Sequence, residues 1–72
     1  MDRDVQAVAR RAEQGDAEAQ HTLGMFYADG RGVTQDDKEA FRWYLKAAEQ
    51  GNAKAQTNLS LFYSTGVGGH TG

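Results

Sequence analysis

The chain contains nearly the same stretch of sequence twice, and this internal repeat limits what it can fold into. The letters AEQGDAEAQ begin at residue 12, and AEQGNAKAQ begins at residue 48. At this spacing, residues 12–33 match residues 48–69 at more than half of their positions without a gap. Repeats of about 20 to 50 residues are typical of solenoids and related arrays, in which similar units stack and share a core. The sequence therefore predicts stacked units of one kind.

Each copy of the repeat contains a helix stop followed at once by a helix start. Gly15 and Gly51 close alanine- and glutamate-rich stretches, where glycine is favoured because it adopts positive φ without strain. Asp16 and Asn52 come next and are good N-caps. Apolar residues at helical spacing then follow in both copies: Ala19, Leu23 and Phe26, then Ala55, Leu59 and Phe62. Each copy thus predicts one helix that ends and another that begins within a tight turn.

The segment between the two copies predicts a further helix. Asp36, with Glu39 three residues later, resembles a capping box. One apolar stripe is predicted to comprise Ala40, Phe41, Tyr44, Leu45 and Ala48, with Trp43 and Ala47 beside it. At this spacing an aromatic pair is typical of a core, so we expect Tyr44 to be buried and Trp43 to pack at a helix junction.

These signals predict four helices in up-and-down order and no strand. The helices are expected over residues 3–14, 16–29, 36–50 and 52–65. The chain then continues as a glycine-rich tail, and residues 69–72 are expected to be flexible.

The recurring residues resemble the Sel1-like repeat, a relative of the tetratricopeptide repeat. The matching positions are Ala19, Gln20, Leu23, Gly24, Tyr27, Gly30, Gly32, Val33, Asp37, Ala40, Trp43, Tyr44, Lys46, Ala47, Ala48 and Gly51. The resemblance covers residues 12–68 and implies an all-α fold, a right-handed α-solenoid of antiparallel helix pairs. Members of that family typically act as adaptors that assemble other proteins, often in bacteria, and the resemblance implies such a role here.

The chain departs from the family pattern at three places. Ser60 stands where the first copy has Gly24, Gly69 stands at the loop valine, and Ala7 and Val8 occupy the place of the aromatic pair. We therefore expect a single solenoid domain over residues 1–72, made of a half-repeat helix (3–14), one complete repeat (16–50) and a second half-repeat (52–68). Solenoids commonly need three or more repeats for stability, so a piece of a longer array or an oligomer is expected.

Composition excludes several classes of function. Eight Lys and Arg residues against ten Asp and Glu leave a net charge of −2, without the basic stripe that nucleic-acid binding requires. Cysteine is absent, so there is neither a disulfide framework nor a thiolate metal site. No apolar run approaches the roughly 20 residues that cross a bilayer. If Met1 is the true start, the charged N-terminus predicts a cytoplasmic protein.

No pattern in the sequence predicts catalysis. His21 and His70 are the only histidines, whereas a metal site needs three or four converging ligands, so His21 is interpreted as a solvated helix position. Asp36 and Asp37 are explained by helix capping. The glycine-rich GVGGHTG follows a helix and lacks the Lys-Ser/Thr ending of a phosphate-binding loop. We expect a protein that is not an enzyme and that holds no metal or cofactor.

A binding role would use the sector of the two repeated helices that faces away from their packed apolar arc. The candidate partner-binding residues in this sector are Glu18, His21, Met25, Asp29, Lys54, Thr57, Leu61 and Ser64. In the family these helices line the concave side of the solenoid. Met25 and Leu61 are apolar at equivalent positions, which indicates either an adaptable peptide-binding groove or contacts to an adjacent repeat.

The function predicted is a non-catalytic adaptor or scaffold that binds a protein or peptide partner, and neither nucleic acid nor membrane. The alternative is a purely structural segment of a longer array, or a self-associating fragment without its own ligand. Leu59, Phe62 and Tyr63 are expected to be partly exposed because no second helix of their own repeat covers them. Such a patch favours homo-oligomers at high concentration.

Overall fold

The computed structural model describes residues 3–65, without the side chain of Thr65, and this part of the chain forms four helices. They are α1 (Arg3–Glu13), α2 (Ala17–Asp29), α3 (Asp37–Glu49) and α4 (Ala53–Thr65). The four predicted helices are confirmed, and each is slightly shorter than predicted because the flanking residues act as caps. No strand occurs within residues 3–65. The predicted loop and tail residues Gly66, Gly68, Gly69 and His70 lie outside the described residues.

The repeated letters form the same turn twice. Gly15 and Gly51 have φ values of +101° and +90°, a region that favours glycine. The residue after each glycine donates its N–H to the carbonyl five residues earlier, at 3.1 Å in both turns. Asp16 and Asn52 then each accept an N–H from three residues ahead, at 3.1 and 2.9 Å. The repeat in sequence is therefore a repeat of hydrogen bonds, which reverses the chain in the same way at both places.

The start of α3 corrects one sequence prediction. Asp36 caps the helix as expected, since its Oδ1 accepts the N–H groups of Lys38 and Glu39 at 3.0 and 3.1 Å. The reciprocal half of a capping box is missing. The Asp36 N–H donates to the carbonyl of Tyr27 at 2.9 Å, and the Glu39 carboxylate pairs with Arg42 at 3.5 Å. The backbone N–H of Asp36 is thus tied to the end of α2 instead of to a side chain in the first turn of α3.

The four helices form two layers. Each helix packs against the next one along the chain, and the Cα atoms fill a slab of 35 × 26 × 14 Å. The short dimension is that of two helices packed about 8–10 Å apart. Side chains of α2 meet those of α4 directly, and Trp43 of α3 shares a cluster with Val5 of α1. The layers are therefore α1 with α3, and α2 with α4.

Two apolar clusters make up the core. The first joins α1 and α2 to Trp43 of α3, and the second joins α3 to α4. The first comprises Val5, Ala12, Ala19, Leu23 and Trp43. The second comprises Ala40, Tyr44, Ala47, Ala55 and Leu59. Trp43 and Tyr44 are both buried, as their helical spacing predicts. Alanine is frequent because its small side chain lets neighbouring helix backbones approach.

The buried stripe of α3 is rotated from its predicted position. Leu45, predicted to belong to the stripe, is 38% exposed, whereas Ala47, predicted to lie beside it, is fully buried. Phe41 and Ala48 are only half-buried. The reason is that α3 packs against α2 and α4 at once, so its centre of burial lies between the directions of these two neighbours.

Gly24 marks the closest approach between α2 and α3. A Cβ atom at this position would lie 2.7 Å from two ring carbons of Tyr44 and 3.2 Å from the carbonyl oxygen of Ala40. Outside their own residue and its neighbours along the chain, real Cβ atoms essentially never come within 3.0 Å of a heavy atom. The Tyr44 ring thus occupies the space that any side chain at this position would need.

Candidate protein-interaction surface

The helices α2 and α4 lie side by side and are joined by side chains one repeat apart. Lys54 Nζ lies 3.4 Å from Glu18 Oε1, and Asn58 Nδ2 lies 2.9 Å from His21 Nε2. The ion pair is well exposed, so it contributes little to stability. We define the α2–α4 face as the exposed side chains of this layer: Glu18, Met25, Asp29, Lys54, Thr57, Leu61 and Ser64.

Two apolar side chains are exposed on this face among polar neighbours. Met25 is 36% exposed and Leu61 is 56% exposed, and they hold the same position in successive copies of the repeat. The hydroxyl of Thr57 donates to the carbonyl of Ala53, within its own helix, at 3.1 Å. The face therefore combines opposite charges, a hydroxyl whose hydrogen bond is satisfied within its own helix, and two exposed apolar side chains.

His21 does not belong to this exposed sector, and its predicted place there is wrong. The side chain is 7% exposed, its ring lies 5.9 Å from that of Tyr44, and Asn58 contacts its Nε2 atom. The apolar pattern of the sequence predicts that α2 packs on one side only. In the structure α2 has neighbours on three sides, namely α1, α3 and α4, and His21 fills the junction between the last two.

Burial changes the acid–base behaviour of His21. It lowers the pKa of the imidazole below the ordinary value of 6.5, because the charged form loses solvation. The nearby carboxylate of Glu18 opposes this shift, and the ammonium group of Lys54 adds to it. Protonation of His21 would place an N–H on Nε2, facing the side-chain N–H of Asn58. The side-chain amide of Asn58 would then have to flip so that its oxygen could accept. The neutral form of His21 is therefore the one that fits the fold.

We expect stability to fall as the pH is lowered below about 6.5. The unfolded chain binds the His21 proton more tightly than the folded chain does, so stability present above the unfolded pKa is lost as pH falls towards the folded pKa. Thermal melts followed by circular dichroism between pH 7.5 and 5 would measure this decline. In the His21→Gln variant the decline should be shallower, and a His70→Gln variant reports on the other imidazole. Equal slopes for wild type and His21→Gln would contradict this assignment.

A chain of glutamine side chains joins the turns at one end of the helices, and sequence reasoning missed it. Gln20 and Gln56 each donate through Nε2 to the carbonyl eight residues earlier, at 3.0 and 3.3 Å. Gln50 Nε2 contacts both Gln20 Oε1 and the carbonyl of Gly15, each at 2.9 Å. The available signal was that glutamine recurs at equivalent positions of both copies. These amides tie the two helix–helix turns together.

A groove of about 510 Å³ lies between α1 and α3, with α2 beneath it. It is lined by Ala9, Ala12, Glu13, Gly15, Gln20, Leu23, Tyr27, Glu39, Arg42, Trp43 and Lys46. The cationic groups of Arg42 and Lys46 each lie 5.5 Å from the centroid of the Trp43 ring, where they cover the ring and contribute cation–π attraction. Glu13 of α1 and Glu39 of α3 balance the charges of Arg42 and Lys46, and Glu39 is paired with Arg42, so no single charge selects a class of ligand.

Within residues 3–65, no group of three or more metal-ligating side chains gathers at one place. None of the four described helices has both the length and the apolar character that a bilayer crossing requires.

Known proteins share both the sequence pattern and the fold. The family model of the Sel1 repeat matches residues 17–52 and 53–71. The structure resembles that of the Sel1 repeat protein from Oxalobacter formigenes with a TM-score of 0.89 and 40% identity, a match that covers 94% of this chain and 28% of that one. The ERAD-associated E3 ubiquitin-protein ligase component HRD3A from Arabidopsis thaliana is 40% identical over 47 residues, which are 64% of this chain and 7% of HRD3A. The chain thus spans less than a third of either protein.

Paired helices with repeated turns, repeated caps and a shared core define an α-solenoid protein. The chain belongs to the Sel1 repeat family. The predicted family and fold class are therefore confirmed. Sel1 repeat proteins are generally protein-interaction modules and are typically non-catalytic.

Proposed function

We propose that this chain is a non-catalytic adaptor or scaffold module that presents the α2–α4 face, as a concave surface, to a protein or peptide partner. The observation that carries the proposal is the exposure of Met25 and Leu61 on an otherwise polar face. An unbranched methionine adapts to different partner surfaces. The flanking charges of Glu18 and Lys54 can select the orientation of a peptide without contributing much affinity.

The relatives support this kind of role. HRD3A is named as a component of a ubiquitin-protein ligase, and we infer that this chain also acts by holding proteins together. Rigidity favours such a role, because a surface built on packed helices loses little conformational entropy when a partner binds.

A purely structural role is the competing function. The chain spans only part of its relatives, and in a longer array its helices could serve only to stack against neighbouring repeats. Met25 and Leu61 would then contact an adjacent element of the same array instead of a partner.

Replacing both apolar side chains with aspartate separates the two functions. Because Met25 and Leu61 are exposed, the double variant Met25→Asp/Leu61→Asp should fold normally, with a change within about 0.5 kcal/mol for each site. A displayed library of random peptides should yield binders of the wild-type chain. These binders should lose most of their affinity for the double variant, since an unpaired carboxylate would be buried at the interface. Circular dichroism melts check the fold, and titration with selected peptides measures the affinity.

Leu45→Asp provides the matched control, because Leu45 is exposed to a similar extent as Met25 but lies on α3. Selected peptides should bind this variant as they bind the wild type. Unfolding of the Met25→Asp/Leu61→Asp variant would place both residues in the core. Unchanged binding by a folded double variant would exclude the α2–α4 face as the binding surface.

A further inference from the structure

Two polar side-chain contacts between described residues join α2 to α4, and they differ in burial. The pair of Glu18 and Lys54 is exposed and contributes little to stability. In the other contact, Asn58 Nδ2 lies 2.9 Å from Nε2 of His21, which is 7% exposed. The buried contact matters more, because groups that lose a buried hydrogen bond are left unsatisfied. We call the His21–Asn58 contact the α2–α4 latch.

The latch lies next to the two apolar side chains of the α2–α4 face. His21 precedes Met25 by four residues on α2, and Asn58 precedes Leu61 by three residues on α4. Residues three or four apart are neighbours on the surface of a helix. A change in the distance between α2 and α4 at the latch therefore also changes the distance between Met25 and Leu61.

Protonation of His21 weakens the latch even if the Asn58 amide flips. With the neutral ring, Asn58 donates through Nδ2 and the Nε2 lone pair accepts, so the ring proton is assigned to Nδ1. The imidazolium carries N–H groups on both nitrogens, and a hydrogen bond then needs the flipped amide. The charged ring would still be buried at the helix junction, where one neutral carbonyl only partly replaces its lost solvation. Separation of α2 from α4 at this point restores that solvation.

The charged groups around His21 oppose each other. Glu18 on α2 favours the imidazolium and Lys54 on α4 disfavours it, and these two side chains are paired at 3.4 Å. From α3 the titratable group that faces His21 is Tyr44, whose ring lies 5.9 Å away. Burial, reinforced by the charge of Asp29, raises the pKa of Tyr44 to about 12, so the phenol stays neutral. The burial of His21 therefore decides which form of the imidazole the closed latch favours.

We propose that the α2–α4 latch is a pH-sensitive switch that couples the shape of the α2–α4 face to the protonation of His21. The closed latch holds Met25 and Leu61 in the arrangement that a partner binds, and protonation separates the two helices locally and weakens binding. The chain stays folded, because α4 remains packed on α3 through the second apolar cluster. This regulation rests on the proposed function of the face. By linkage, a bound partner favours neutral His21 by the same factor.

NMR spectroscopy tests the opening of the latch without any partner. In a His70→Gln background, His21 is the only histidine of the chain, so its ring signals give the midpoint of protonation directly. The nuclear Overhauser contact between the His21 ring and the Asn58 amide should be lost with this midpoint, and the methyl signals of Met25 and Leu61 should shift with it. In His21→Gln, whose amide oxygen can accept from Asn58, the methyl signals should stay constant. Circular dichroism at each pH checks that the chain is folded.

Peptide binding tests the coupling between the latch and the face. The probes are displayed-library peptides without histidine that bind at pH 7.5 and lose affinity for the Met25→Asp/Leu61→Asp variant. Their affinity for the His70→Gln chain, measured by fluorescence anisotropy, should fall about fivefold or more when His21 is protonated, the lower end of typical coupling between sites. His21→Gln should bind them equally at both pH values. Asn58→Asp should also retain its affinity, because a carboxylate accepts from the imidazolium and keeps the latch closed.

Three results would overturn the proposed switch. The first is a chain that unfolds before His21 takes up a proton, or a His21–Asn58 contact that persists once it has. The second is an equal peptide affinity for the neutral and the protonated chain. The third is a pH dependence of binding that remains in His21→Gln. If no peptide binds the face even at pH 7.5, the proposed function is contradicted instead, and the Overhauser contact still decides whether the latch opens.

Discussion

The Leu23→Ala variant is expected to be largely unfolded. Leu23 is 1% exposed, the largest side chain of the described residues to be fully buried, and lies in the cluster that joins α1, α2 and Trp43. Removing its three outer carbon atoms deletes buried apolar contacts and leaves a cavity, which destabilises proteins by about 2–5 kcal/mol. A single core in a domain of this size supplies only about 3–5 kcal/mol. The loss is thus comparable with the total stability, and urea titration followed by circular dichroism would measure it.

Leu45→Ala is the matched control for this prediction, since the same atoms are removed from a side chain that is 38% exposed. It should retain a cooperative transition close to that of the wild type. If Leu23→Ala also melted cooperatively within a few degrees of the wild type, the cluster around Leu23 would not be the main core.

The helices could be predicted from sequence because their signals are local. A positive-φ glycine followed by a capping side chain acts through hydrogen bonds between residues at most five apart. Asp16 and Asn52 therefore cap the helices that their positions predict. The repeat gives α2 and α4 the same helical pattern, which is why the same sector could be predicted to be exposed on both.

The errors concern residues whose surroundings depend on more than one neighbouring helix. His21 points away from the main apolar arc of α2, and its burial follows from Tyr44 and Asn58, which come from two other helices. Leu45 is exposed because α3 is shared between two interfaces. The contacts of Gln50 could not be predicted from local signals because they join residues 35 and 30 positions apart. Gln20 is buried, with its amide satisfied by backbone and side-chain partners.

The binding role of the α2–α4 face is a different kind of inference. Local sequence signals identify which side chains are exposed, but binding depends on complementarity with a molecule that the sequence does not describe. Met25 and Leu61 indicate where a partner would gain apolar contact.

Gly24→Leu is the second substitution expected to unfold the chain. Even the first added carbon would overlap the Tyr44 ring, 2.7 Å away, and Tyr44 is itself buried in the core. Overpacking of this sort typically costs about 1–3 kcal/mol and more when the side chain is large. Replacing a helical glycine with a better helix former contributes only about 0.5–1 kcal/mol in the opposite direction. Thermal melts of Gly24→Leu should show no cooperative transition, and Gly24→Ala should be measurably destabilised.

The repeat supplies its own control for this prediction. Ser60→Leu introduces the same side chain at the equivalent position of α4, where Ser60 is exposed, and should leave the melting temperature nearly unchanged. The penalty of Gly24→Ala should also shrink in a Tyr44→Leu background, because coupling between contacting residues reveals whether the ring is the obstacle. If Gly24→Leu folded as stably as Ser60→Leu, the close approach of α2 and α3 would be absent. An undiminished penalty of Gly24→Ala in the Tyr44→Leu background would instead identify the backbone of Ala40 as the obstacle.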